Sequence, residues 1–417
     1  MIKIGIVGCG RILNAHLQAY KGIREAGYDN FCITALTDIL EENALRHVKR
    51  GEGPPPLPPI VPEDSDDSYN TPHTYLSDIQ DDVDVQVFTD YRDMLEHGEI
   101  NAVNDITSIF MHHEIGKASL EAGKHLLSQK PPALTVAGAV EVVELAKKQG
   151  VTFGIFESLR DEKITRAMGW AVKRGLIGEP RMAVTVGVHG EWSPDKVVAD
   201  TPWRHSKLLA GGHCSIDWGV HFFDFMRYVV GEVDWVSAET RVFEKTRYRR
   251  DQDGNIITTV NCEADDTFFA LLGFENGAIG QISWSIAARG DEFYLPGTFL
   301  VYGSEGCIQD GTLIRDDGTR DPLMERFERD MADEEREQFY PYGITEDHFA
   351  LQQIAWLKAI DSGINPEVDG EEGLKDLACS YAVLESATSG CRVKVKDVLS
   401  GKVDKFQEEI NAHYGIS

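Results

Sequence analysis

A doubly wound α/β domain on a parallel sheet, followed by an α+β domain with a large, mainly antiparallel open sheet, is the architecture this sequence predicts. Three observations carry it. Strand and helix patterns alternate over about the first 150 residues, two glycines two apart follow the first strand, and long β-rich segments dominate after residue 156. At 417 residues the chain exceeds one comfortable core, so two domains are expected, with a boundary near 155/156.

The alternation runs "IKIGIVG", a helix from about Ile12, "CITALTD", a helix from Glu41, "VFTDYRDML", "AVNDITS", a helix from His112, "HLLSQKP", a helix from Val136 and "VTFGIFES". Short apolar strands alternating with amphipathic helices imply a parallel sheet covered on both faces. The pattern breaks at about residues 51–82, "GEGPPPLPPIVPEDSDDSYNTPHTYLSDIQDD". Its prolines and carboxylates bury too little apolar surface to fold alone, so it reads as an inserted surface loop. Two roles stand open: a tolerated excursion, or a cover for the active site or a neighbouring subunit.

After "GLIGEP" the segments "RMAVTVGVHGEW", "VDWVSAETRVFEK", "DTFFALLGFENGAIGQISWSIAA" and "GTFLVYGSEGCIQDG" read as strands, with "FENGAIG" a hairpin turn. A broadly apolar far face on that sheet would suit dimerisation. Two helices, "EDHFALQQIAWLKAIDSG" and "GEEGLKDLACSYAVLESATSG", each end in a glycine that fits a C-cap.

Hydrophobic residues make up 42% and charged residues 26%, and no apolar run approaches a bilayer span. A formal net charge of −28 repels nucleic acid and anionic membranes. Met1 leads straight into a strand without a secretory signal, so a cytoplasmic location is expected. The seven cysteines are scattered and form no C-x-x-C pair, which points to reduced structural thiols.

The opening "KIGIVGCGRILNAHL" is a candidate dinucleotide turn. Gly8 would take the tight turn, and Gly10 would let the backbone approach a pyrophosphate resting on the next helix N-terminus. Leu13 replaces the usual third glycine, which implies a wider helix–strand contact. The second strand ends in Asp38, where a carboxylate accepts from both ribose hydroxyls and repels a 2′-phosphate, favouring NAD over NADP. The alternative for Asp38 is an ordinary solvated strand end.

These stretches, together with "GEINAVNDITSIFMHHEIGKASLEAGKHLLSQKPPALT", "WRHSKLLAGGHCSIDWGVHFFDFMRYVVG" and "EEGLKDLACSYAVLESATSGCRVKV", resemble the Gfo/Idh/MocA family of oxidoreductases from residue 1 to about 396. The resemblance implies a Rossmann domain, a C-terminal α/β domain whose sheet often mediates oligomerisation, and a nicotinamide cofactor exchanging hydride with a sugar or cyclitol carbon. The cofactor site it implies comprises Gly8, Gly10, Arg11, Ile12, Asp38, Thr107, His112, Gln129 and Lys130. Gln129-Lys130-Pro131 stands where the family usually has Glu-Lys-Pro, so Lys130 matches the lysine shared by ribose and substrate while Gln129 removes a charge. Thr107-Ser108-Ile109 replaces the common Thr-Pro-Asn, with His112 and Glu114 retained; His112 reads equally as a structural helix start.

Asp217 and His221 match the family's aspartate and histidine, and on a helix their spacing puts both on one face. His221 is the expected general base, Asp217 the carboxylate that orients the substrate or the imidazole, and Lys130 the group that polarises the hydroxyl and stabilises developing alkoxide. Trp203 and Arg204 suit the apolar face and hydroxyls of a carbohydrate. Arg160 and Glu157 are candidates for the substrate site or for an interdomain salt bridge. His213, in place of a glycine, adds a titratable group to the substrate site. Adjacent His112 and His113 point about 100° apart on a helix, so no metal is assigned.

The leading expectation is an NAD-dependent dehydrogenase of a sugar, sugar derivative or cyclitol, assembled as a homodimer or homotetramer, with no nucleic-acid or membrane partner. A redox-neutral, NAD-dependent glycoside hydrolase and a non-catalytic NAD-sensing regulator are the alternatives.

Overall fold

The computed structural model describes residues 1–59, 68–81, 84–190, 201–251 and 253–416. Two compact units emerge: Met1–Ala133, Ala139–Asp161 and Ala332–Glu372 form unit 1, and Leu134–Gly138, Glu162–Met331 and Gly373–Ser417 form unit 2. The first 156 residues carry β1 (Ile2–Val7), α1 (Leu13–Glu25), β2 (Phe31–Thr37), α2 (Glu41–Leu45), β3 (Gln86–Phe88), α3 (Tyr91–His97), β4 (Ala102–Asp105), α4 (His112–Glu121), β5 (His125–Gln129), α5 (Val136–Gln149) and β6 (Phe153–Phe156). The six strands are parallel in the order β3-β2-β1-β4-β5-β6. Strand order reverses between β1 and β4, which opens a crevice at their carboxyl ends. "VFTDYRDML" divides: the strand stops at Phe88, and Asp90 caps α3 by accepting from the Arg92 N–H at 2.9 Å.

The later elements are α6 (Lys163–Lys173), β7 (Pro180–Val188), α7 (Lys207–Ala210), a π-helical turn at His213–Trp218, α8 (Gly219–Val229), β8 (Val233–Arg241), β9 (Thr246–Arg250), β10 (Ile256–Asn261), β11 (Thr267–Phe274), β12 (Ile279–Ser285), β13 (Phe293–Gly303), β14 (Gly306–Gln309), β15 (Thr312–Arg315), β16 (Arg320–Pro322), α9 (Leu323–Asp330), α10 (Asp333–Phe339), α11 (His348–Ser362), α12 (Gly370–Ser389), β17 (Val393–Lys394), α13 (Val395–Leu399) and α14 (Glu408–Tyr414). Nine strands form the sheet β16-β15-β14-β13-β7-β12-β11-β8-β17, antiparallel except where β12 runs parallel to β7. The β9–β10 hairpin, which the sequence patterns did not mark, stands as a separate two-stranded ribbon.

Glycine opposite tryptophan shapes this sheet twice. Gly187 pairs with Trp284 and Gly273 with Trp235, and a Cβ on either glycine would collide with the facing indole. The missing side chain gives a large aromatic room to lie across its neighbour strand.

Helix α11 belongs to unit 1 although it follows the second sheet in sequence. Its Ile354, Trp356 and Leu357 enter the same core as Ile4, Ile6, Leu13, Leu17 and Phe31. Of the insert, residues 60–67 and 82 lie outside the described residues. Residues near 74–80 are not surface loop: Thr74, Leu76, Ile79 and Gln80 are buried. The Gln80 amide accepts from the Ile33 N–H at 3.0 Å and donates to the Ile33 carbonyl at 2.7 Å. It substitutes for a strand partner where β3, which pairs only with Ala35–Thr37, falls short. No described helix is long and apolar enough to cross a membrane.

Leu13 is wholly buried in the first turn of α1. Restoring the motif's third glycine should therefore damage the protein: Leu13→Gly is expected to cost about 3–5 kcal/mol, from a cavity plus a flexible helix residue, measured by urea unfolding.

Candidate active site

Unit 1 carries the turn that β1 delivers to α1. Gly8 adopts φ +96°, and a Cβ there would lie 3.0 Å from the Ile106 carbonyl oxygen, so β4 leaves no room for another residue. Gly10 differs, because a Cβ on it would meet nothing within 4 Å. The protein's own packing does not require that glycine; an approaching ligand backbone would. Helix α1 begins after Ile12 with no side-chain cap among the described residues, leaving its N-terminus suited to an anion.

Asp38, at the end of β2, is built into this turn. Its Oδ2 accepts from the Cys9 N–H at 2.8 Å, while Oδ1 accepts from the Leu40 N–H at 2.9 Å and the Asn43 amide at 3.0 Å. Burial, reinforced by the Asp38 charge, pushes the Cys9 thiol well up, so it stays protonated. Arg11 donates to the Pro58 carbonyl.

At the end of β4, Asp105 Oδ1 accepts from the Thr107 N–H at 3.0 Å and its hydroxyl at 2.7 Å, fixing the altered turn. His112 is a buried clamp. Nδ1 lies 2.8 Å from the Pro131 carbonyl and Nε2 3.1 Å from the Thr107 carbonyl, which ties the turn carrying Lys130 to the end of β4. His113 turns elsewhere, to Glu141 at 2.8 Å, and Glu114 pairs with Tyr91 and Arg92 of α3. Among the described residues no group of three or more side chains could hold a metal.

Two amides flank the His16 ring: Gln129 Nε2 lies 2.8 Å from its Nε2 and Gln353 Nε2, on α11, 3.1 Å from its Nδ1, and Gln353 also donates to the His16 carbonyl at 3.2 Å. Burial lowers His16 to about 3, so the imidazole is neutral. Arg160, 4% exposed, lies 3.4 Å from Glu372 and 4.0 Å from Glu367, all within unit 1, and buried Glu157 accepts from the Leu159 N–H.

In unit 2, Asp217 and His221 do not share a regular α-helix. Asp217 lies in the π-helical turn and His221 in the first turn of α8. The wider i→i+5 winding cancels the one-face argument from four-residue spacing, although π turns are frequent at functional sites. Both side chains remain partly exposed. Asp217 forms an ion pair with Arg204, whose guanidinium lies 4.6 Å from the Trp203 ring centre.

Asp265, just before β11, organises the turn. It accepts from the N–H groups of His213 (3.1 Å) and Ser215 (2.9 Å) and from the Ser215 hydroxyl (2.8 Å), while its own carbonyl accepts from the Cys214 N–H. A Cβ on Gly212 would strike Ser215 Oγ and Asp265, so the preceding glycine makes room for this contact. His213 itself is buried beside His205, ring centres 5.2 Å apart, and burial drives it well below the usual histidine range. It is a neutral group, which corrects the expectation of a titrating one. Beside Asp217 and His221, Trp218 and Phe222 join Trp284, His189 and Tyr294 in an aromatic cluster with ring centres 4.5–6.3 Å apart. The sequence reading missed Asp265, His16 and this cluster, whose members come together only through contacts between residues distant in sequence.

A Rossmann unit with an open glycine turn, joined in one chain to an open-sheet unit bearing an acid–histidine pair, defines the class of dinucleotide-dependent oxidoreductases. Residues 69–156 match the oxidoreductase family with an NAD-binding Rossmann fold, and residues 165–309 match the GFO/IDH/MocA C-terminal domain. The chain belongs to the Gfo/Idh/MocA family. It is 25% identical to myo-inositol 2-dehydrogenase of Thermotoga maritima over 95% of this chain and 100% of that protein. It is 27% identical to levoglucosan dehydrogenase of Pseudarthrobacter phenanthrenivorans over 59% of this chain, a match spanning 63% of that relative. An NAD-binding oxidoreductase from Klebsiella pneumoniae shares the fold with TM-score 0.71 at 21% identity, covering 94% of this chain and 99% of that one.

Burial raises Asp265 from 3.8 to about 6 against its hydrogen bonds. A carboxyl raised in the folded state gives stability that is complete below the unfolded value and lost as pH climbs through the folded one. Subtracting the unfolding free energy of Asp265→Asn from that of the wild type, by urea titration, should give a difference that falls from pH about 4 to about 6 and then levels.

Proposed function

We propose that this protein is an NAD-dependent oxidoreductase that moves hydride between nicotinamide and the secondary-hydroxyl carbon of a sugar, sugar derivative or cyclitol. The observation that carries the reading is the turn around Gly10, whose empty Cβ position and Asp38-tied backbone suit a dinucleotide that the protein's own packing does not need. Relatives named as dehydrogenases of levoglucosan and myo-inositol support a polyhydroxylated substrate. Asp38 supports NAD, since a 2′-phosphate would stand against a carboxylate.

A bound nicotinamide would supply the hydride-accepting chemistry. The α1 N-terminus and the Gly8–Gly10 backbone would hold the pyrophosphate, and Asp38 the adenosine ribose. His221 would take the hydroxyl proton as hydride leaves the same carbon, and Asp217, ion-paired with Arg204, would orient the substrate. Lys130 stabilises negative charge on the oxygen. The Trp218–Trp284–Tyr294 cluster offers an apolar face to a sugar ring, and Trp203 with Arg204 a second platform.

A second copy of the chain is the partner best suited to the open sheet. Phe269 and Leu271 of β11, Ile279 of β12 and Met182 of β7 are exposed, and Ile279 pairs directly with Met182, with Leu271 two residues along β11 from the partner of Ile279, so apolar groups are spread over three strands. Sedimentation of the Phe269→Glu/Leu271→Glu variant should show a smaller assembly than the wild type.

A panel of sugars, glycosides and cyclitols with NAD and NADP, read by absorbance of the reduced nicotinamide, tests the activity. Turnover is expected with NAD, and Lys130→Ala and His221→Ala should each lower kcat by about 10²–10⁴-fold. A strong NADP preference would overturn the reading of Asp38, and aglycone release without net reduction would overturn net dehydrogenation.

A further inference from the structure

We propose that residues 53–59 act as a clasp over the adenosine end of the dinucleotide site, closing a hydrogen-bonded collar around Asp38 that slows exchange of NAD(H). The inference rests on the dinucleotide reading above.

The clasp starts on a close contact. Gly53 has φ +74°, and a Cβ there would lie 2.6 Å from the carbonyl oxygen of Leu45, so only glycine lets the segment leave α2 at this point. Five of the next six residues are proline. Proline removes the N–H and fixes φ, so the segment cannot zip onto a strand as a sheet edge and offers carbonyl acceptors instead. Proline runs favour a helix of three residues per turn, in which the carbonyls of 55 and 58 recur on one side. Those two carbonyls are the ones engaged: Arg46 Nε donates to Pro55 at 3.0 Å, and Arg11 donates to Pro58.

Both arginines lead back to the nucleotide turn. Arg46 also donates to the Asn43 side-chain oxygen, Asn43 donates to Asp38, and Asp38 accepts from the Cys9 N–H between Gly8 and Gly10. Arg11 follows Gly10 directly. The sequence of contacts therefore runs from Pro55 through Arg46, Asn43, Asp38 and Cys9 to Arg11 and back to Pro58, a ring that the clasp completes. Its segments also display apolar side chains to solvent: Ile39 is 88% exposed, Leu40 61% and Leu57 37%. An adenine has two apolar faces, and these are the groups that would cover them.

The collar gives the two arginines a defined task. Guanidinium groups beside a ribose pocket are natural partners of a 2′-phosphate; here they are spent on proline carbonyls, and what they hold in place is a barrier to release.

The test measures NADH dissociation by stopped-flow fluorescence with an excess of NAD as chase. Two variants are compared with the wild type: one with residues 54–59 replaced by six alternating glycines and serines, and Arg46→Gln. Thermal unfolding of the apoprotein reports folding. Dissociation at least about tenfold faster in both variants, with unfolding midpoints close to the wild type, is the expected result. Unchanged dissociation in a folded variant overturns the clasp while leaving the dinucleotide reading intact. A wild type that binds no NADH overturns both. If the replaced segment prevents folding, Arg46→Gln carries the same two outcomes alone.

Discussion

The hydrogen bond from the Cys9 N–H to the Asp38 carboxylate is the constraint on which the nucleotide-binding half depends. It joins the end of β2 to the turn after β1, beside the bond that the Gly8 N–H gives the Thr37 carbonyl. Bonds to a charged acceptor contribute about 1.5–3 kcal/mol each, enough to select one conformation of a glycine-containing turn. With that turn fixed, Gly8 can rest on the Ile106 carbonyl, α1 can start without a cap, and the space over Gly10 stays open. Unit 2 uses the same device. Asp265 gathers the N–H groups of His213 and Ser215 and thereby sets the π-helical turn from which Asp217 projects. In both units a carboxylate organises backbone donors rather than opposing a cation.

Much of this was legible in the residues. The first strand, the turn at Gly8 and the end of the second strand before Asp38 were legible because their geometry is local: a strand, a tight turn and a strand end need no knowledge of distant contacts. The closing helices were legible for the same reason, each ending at a left-handed glycine, Gly363 and Gly390. Where the reading stopped, long-range contacts decided. Helix α11 joins the first core through Trp356 and Leu357, more than 300 residues from Leu13 and Leu17, and no pattern within "EDHFALQQIAWLKAIDSG" announces that destination. The π-helical winding at 213–218 follows from Asp265, some 50 residues away. The end of the proline-rich segment was hidden by composition: four buried side chains near 74–80 lie behind a run of carboxylates, and Gln80 acts as a surrogate strand residue.

Several buried polar groups in unit 1 are met by neutral or backbone partners, the ion-paired Arg160 apart. His112 lies between two carbonyls, Gln80 bonds a peptide, and Asn104 receives the Tyr20 hydroxyl while donating to the Leu127 carbonyl. Burying charge without a close partner is far more costly than burying an amide that is hydrogen-bonded. Where carboxylates are buried, as at Asp105 and Asp265, hydrogen-bond donors close to them in the fold meet them.

That preference fits glutamine at 129, where the family usually has glutamate. His16 is fully buried and neutral, and its Nε2 lies 2.8 Å from the Gln129 amide nitrogen. A carboxylate at 129 can only accept, so it would have to take the single imidazole N–H or draw a second proton onto the ring, and a buried ion pair loses to desolvation much of what its attraction gains. An amide can meet either tautomer, through its oxygen or its nitrogen, and the imidazole sits against Phe156 and Phe349, ring centres 4.6 and 5.2 Å away, an environment that disfavours imidazolium. The exchange of one charged residue for its amide thus follows from the burial of a histidine over a hundred residues earlier, and it leaves Lys130 preceded by a neutral side chain in the strand that presents it.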